Sequence, residues 1–236
     1  MKHLRNLLLL VGILASTSPA YAHFPWVTIS EEGKVTYFFG ENPADRTYKL
    51  PGPIAKCDVE LITAKGTKQK IALNSIETDD FIGRESGESG DSSATLQSQV
   101  TFGIYHGSRL EYYTVHVGGK LPTTQQEAAK TATDQNLKAL LVDNGHGVDA
   151  YVLWKGKPLT DAEVHLFCEE GDEEATAKTD QEGKVSFTNK QVEAGLNGIM
   201  VGHTIPDESG TVGDQKYESA SHYLTVTFQA PEGDEK

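Results

Sequence analysis

The chain has 236 residues, and its 34 acidic against 21 basic side chains leave a net charge of −13. That sign argues against nucleic acid or an anionic membrane surface as a partner and suits a protein that meets cations. The length holds one large β domain or two small ones.

Residues 1–22 have the layout of a cleavable secretory signal. Lys2 and Arg5 form a positive start, Leu7 to Leu14 an apolar stretch broken only by Gly12, and Ser16 to Pro19 a turn-forming segment. Ala20-Tyr21-Ala22 then fits the small-x-small rule for cleavage. The apolar run is shorter than the roughly 20 residues a membrane helix wants. The processed chain is expected to begin at His23, in the periplasm or outside the cell. Loss of the two basic groups takes its charge to −15.

From His23 to about Val117 the pattern is strand-like. Lys34 to Phe39 is rich in β-branched and aromatic residues between Gly33 and Gly40, and Val59 to Thr63 and Gln69 to Leu73 follow. Val100 to Ile104 and Tyr112 to Val117 read as a hairpin turning at His106-Gly107-Ser108. Asp79 to Ser93, acidic and rich in Gly and Ser, reads as a mobile loop. Good helix formers then dominate Gln125 to Lys130 and Leu137 to Leu141, a connector with a short helix.

Strands return from Gly147. Asp149 to Trp154 precedes a turn at Gly156 to Leu159, and Ala162 to Phe167 alternates, with Ala162, Val164 and Leu166 on one face. Glu169 to Glu174 is an acidic loop with a solvated face as its default reading. Thr179 to Phe187 reads as a hairpin in which Asp180 starts the turn and Gly183 takes positive φ. Ile199 to Ile205 and His222 to Phe228 close the fold. The expectation is an all-β protein of two β-sandwich domains, 23–120 and 147–230, joined by a connector at 121–146 and ending in a charged tail at 231–236. Cys57 and Cys168 either form a disulfide between the halves or stay as two buried thiols; spacing does not choose.

Two sets of motifs carry a resemblance. The order strand, Gly-Lys-Pro-Leu (156–159), Thr-Asp-x-x-Gly-Lys-Val-x-Phe (179–187) is similar to carboxypeptidase-regulatory-like sandwich modules. His23-Phe24-Pro25-Trp26 after the signal, with His203, Gly210, Gly213, Tyr217 and His222-Tyr223-Leu224-Thr225, resembles a periplasmic family associated with nickel and cobalt uptake. The resemblance implies a soluble extracytoplasmic protein that handles a divalent transition metal, with a membrane metal transporter as a candidate partner. It also implies roles for His23, His203 and His222. The chain departs from that pattern in its 79–93 loop.

The residues give their own reasons. A processed His23 offers an α-amine and an imidazole, and the amine loses its proton near neutral pH, so amine and Nδ1 can chelate. Nitrogen-rich planar geometry suits Cu(II) or Ni(II). His203 and His222 end core-facing rows of their strands and read equally as ligands or as core histidines. His116 shares its row with Tyr112 and Thr114, read as a solvent or inter-domain face. No two histidines stand at a spacing that preforms a local site, so the fold must assemble any metal centre. No nucleophile elbow, zinc-protease helix, phosphate loop or dinucleotide fingerprint occurs, and the chain is not expected to be an enzyme. Two alternatives remain: a structural or adhesive envelope protein, and a copper-dependent polysaccharide monooxygenase. The motif order does not resemble the monooxygenases.

Overall fold

The computed structural model describes residues 23–63, 66–130 and 132–231. The signal segment 1–22 and the tail beyond residue 231 lie outside the described residues. The fold is all-β. No helix among the described residues is long and apolar enough to cross a membrane.

In chain order, β1 (Phe24–Ile29) and β2 (Val35–Gly40) form a hairpin, followed by the single turn α1 (Gly52–Ala55). Then come β3 (Val59–Ile62), β4 (Lys68–Ile71), β5 (Leu73–Glu77) and β6 (Ile82–Ser86). The long pair β7 (Thr95–Tyr105) and β8 (Ser108–Val117) precedes α2 (Gln125–Lys130), β9 (Leu137–Asp143), β10 (Gly147–Trp154) and β11 (Lys157–Pro158). Next are β12 (Glu163–Phe167), β13 (Glu173–Lys178), β14 (Lys184–Thr188) and β15 (Gly195–Ile205). The small ribbon β16 (Gly210–Val212) and β17 (Gln215–Tyr217) leads into β18 (Ser219–Ala230).

These strands stack as three layers. The middle layer is an eight-stranded sheet, β13-β12-β15-β18-β8-β7-β3-β4. One face carries β1-β2-β6-β5 over a core that includes Trp26, Phe38, Leu96 and Tyr112. The other face carries β9, β10, β11 and β14 over a core that includes Leu141, Phe187, Ile199 and Phe228. Central strands are thus covered on both faces, and β8 and β18 pair in parallel, Ser219 to Phe228 against Ser108 to Val117. That pairing joins the segment 23–120 to the segment 147–230 within one sheet.

Turn chemistry does what the residues prescribe. His106 and Gly107 both take positive φ between the paired residues Tyr105 and Ser108, and Lys155 and Gly156 do the same between Trp154 and Lys157. Two-residue loops of this kind match the right-handed twist of the strands they join. Asp180 Oδ1 accepts from the amides of Glu182 and Lys184, and Gly183 has φ 71°.

Three expectations need correction, and the open choice for the cysteines is decided. The turn at 180–183 does not close a hairpin: β13 pairs with β12 in the middle sheet, whereas β14 pairs with β10 in the outer one. Leu137 to Leu141 is strand β9, because Leu137, Leu140 and Leu141 reach buried positions from it and burial outweighs helix propensity. The 79–93 segment contains β6, which holds β2 and β5 together. The cysteines form no disulfide. Both are buried free thiols: Cys57 Sγ donates to the Gln99 carbonyl at 3.3 Å, and Cys168 lies beside the 169–174 loop.

Candidate functional site

The three histidines singled out in the sequence fall into two places. His23 precedes β1, and the register Phe24–Gly40 sets it beside the segment just after β2. There Asn42 Oδ1 accepts from the amides of Ala44 and Asp45, and Asp45 Oδ2 accepts from the Glu41 amide at 2.9 Å, so the loop is tied to itself. His23 Nε2 faces Glu41 Oε1 at 3.9 Å and Asp45 Oδ2 at 4.0 Å. Its ring lies 3.7 Å, centroid to centroid, from Tyr48, which a bridge to Phe39 holds in place.

His203 and His222 are direct cross-strand neighbours on β15 and β18. Both rings touch Trp154, at 4.9 and 4.5 Å. They face the core shared with β10. β1 packs on the opposite face, where Thr225 Oγ1 donates to the Pro25 carbonyl and Phe24 meets Tyr223. Neighbouring residues of a strand point to opposite faces. The middle sheet therefore separates His23 from His203 and His222, and the fold does not bring the three together.

His222 lines a cavity of about 260 Å³ with Arg109, Glu111, Tyr113, Trp154 and Lys155. Arg109, Glu111 and Tyr113 alternate along β8 and so share a face, while Leu110 and Tyr112 point to the other core. Tyr113 Oη lies 3.1 Å from His222 Nδ1, and burial raises the phenol to about 12. Burial, with Arg109 and Lys155 adding positive field, lowers His222 to about 4. Burial and Lys155 also lower His203. Both imidazoles are therefore neutral at physiological pH. Arg109 Nη2 is paired with Glu208 at 2.6 Å, and Arg109 Nε and His222 Nε2 are buried with no hydrogen-bond partner among the described residues.

Sequence reasoning found His222 and missed the rest of this cavity. The legible signal was the row Arg109, Glu111, Tyr113 opposite an apolar row, a polar stripe inside a long strand. It also missed Glu41, Asp45 and Tyr48 beside His23, which come together through one turn and one isolated bridge. His116 is not on a solvent face: it is fully buried, with Nδ1 2.9 Å from Thr227 Oγ1. A third cluster joins the Cys168 thiol with Glu174 and Glu193, all within 4.8 Å of one another. Burial raises the Cys168 thiol, which keeps it protonated and a weak ligand.

No family model and no curated protein matches this chain.

Proposed function

We propose that this is an exported transition-metal-binding protein whose site is built on His23 after removal of residues 1–22. The supporting observation is the setting of His23, its Nε2 turned toward two carboxylates and its ring against Tyr48. A carboxylate facing one ring nitrogen favours the proton there and leaves the other nitrogen free to bind metal. Nδ1 and the α-amine of the same residue then form one chelate, with the negative loop adding electrostatic attraction. Amine and imidazole nitrogen favour Cu(II) or Ni(II) over harder cations, and Co(II) is the third cargo that the resemblance suggests. The role is capture or delivery, with a membrane transporter as recipient, in the periplasm or outside the cell. His203 and His222 take no part in this site.

The test is titration of Cu(II), Ni(II) and Co(II) into the chain beginning at His23, against a variant with one glycine added before it. One equivalent should bind to the first and be lost from the second, because the extension turns the amine into an amide. Substituting His203 and His222 should leave this binding unchanged. Equal binding by both forms, or binding by neither, would overturn the proposal and favour a structural envelope protein.

A further inference from the structure

The cavity on β8 and β18 has no part in the His23 site, and its chemistry is of another kind. Its floor is Glu111, buried on β8, whose two oxygens accept from the Gln99 amide at 2.9 Å and the Thr101 hydroxyl at 2.8 Å. Both donors are neutral, and among the described residues no lysine, arginine or histidine pairs with that carboxylate. A buried carboxylate without a counter-charge is costly, and a cationic ligand group relieves that cost.

Donors stand beside it: Arg109 two residues away on the same face of β8, His222 as its cross-strand neighbour on β18, and Lys155 from the turn after β10. Arg109 spends Nη2 on Glu208 and Nη1 on the Tyr217 hydroxyl, which leaves Nε unpartnered. Lys155 sits at the rim on its two-residue turn, with Nζ 5.0 Å from the Trp154 ring centroid. His222 contributes its ring, with Nδ1 engaged by the Tyr113 hydroxyl. When the Tyr113 hydroxyl donates to His222 Nδ1, 3.1 Å away, the His222 proton sits on Nε2. Nε2 is buried and has no hydrogen-bond partner among the described residues, and the His222 side chain lines the cavity.

We infer that this cavity binds the zwitterionic headgroup of a free α-amino acid, its ammonium on Glu111 and its carboxylate on the Arg109, His222 and Lys155 side chains that line it. A metal ion is disfavoured there, because Arg109 and Lys155 line the same cavity and repel a dication. A phosphate dianion is disfavoured by Glu111 and Glu208. An α-amino acid carries both complementary charges in one small headgroup, and about 260 Å³ holds it with a modest side chain.

The experiment is calorimetric titration of the processed, chelator-treated protein with L-alanine, L-glutamine and L-histidine, and with their N-acetyl and carboxamide derivatives. Chelator treatment silences metal-mediated binding at His23. At least one parent amino acid should bind one to one, and blocking either end should weaken it by about tenfold or more. Glu111→Gln should weaken the parent without changing the N-acetyl derivative. Lys155→Ala, at an exposed turn, should weaken the parent without changing the carboxamide. If Glu111→Gln does not fold, the blocked ligands and Lys155→Ala still decide. No binding by any parent, or equal binding by blocked and parent ligands, would overturn the inference.

Discussion

His116 and His222 are two imidazoles that the fold keeps neutral, each lowered from the ordinary 6.5 to about 4. Burial is the cause for His116, and burial with nearby cations for His222. Because the folded value lies below the unfolded one, protons bind the unfolded chain first. The stabilisation is complete above the unfolded value, erodes as pH falls through it, and is gone below the folded value. Each histidine is worth on the order of 3 kcal/mol across that interval. Melting temperature should therefore fall steeply between about pH 6.5 and about pH 4. His116→Asn places an amide near the Thr227 hydroxyl and removes one titration, so thermal melts across that range should show a shallower slope. An unchanged slope would mean that His116 does not titrate with folding.

The first strand is held by contacts that only a particular neighbour permits. Trp26 donates its indole N–H to the Gly40 carbonyl and lies against β15 at Gly198. A Cβ at Gly198 would stand 2.4 Å from Pro43 Cγ and 3.0 Å from Trp26 Cζ3. Gly198→Ala must push either the indole or the loop that carries Asp45. The expected cost is about 1–3 kcal/mol, as for other overpacked interiors. If the loop is what moves, metal affinity at His23 falls as well. Denaturant melts and the metal titration together separate these outcomes, and a fully stable variant would show that the layers slide without penalty.

At the scale of the molecule, the parallel pairing of β8 with β18 makes the two halves interdependent. The threonines reinforce it, with Thr227 reaching across 200 residues of sequence to the Val27 carbonyl. A fragment of residues 147–231 would expose the β8-facing edge of β18 and the face that β1 covers. We expect it not to fold by far-UV circular dichroism, and the whole chain to melt in one calorimetric transition. Two resolved transitions, or a folded fragment, would show that the halves are independent. Contacts so distant in sequence also predict slow folding.

What the amino acids determine alone is local. Alternation sets Ala162, Val164 and Leu166 on one buried face, and Asp180 with Gly183 writes its own turn. His203 and His222 were legible as the ends of core-facing rows because strand period depends only on the residue and its next neighbours. The tertiary structure decided which strand lies beside which. It sent β14 to β10 rather than to β13, drew Leu137–Asp143 out of helix into a strand, and closed a sheet across both halves. It also decided the sites. His23 meets Glu41, Asp45 and Tyr48 through a turn and a single bridge, while His222 meets Tyr113 and Trp154 on the far side of the sheet. Backbone preferences act over a few residues, whereas burial and strand pairing act across the whole chain, and the separation of the three histidines follows from the second.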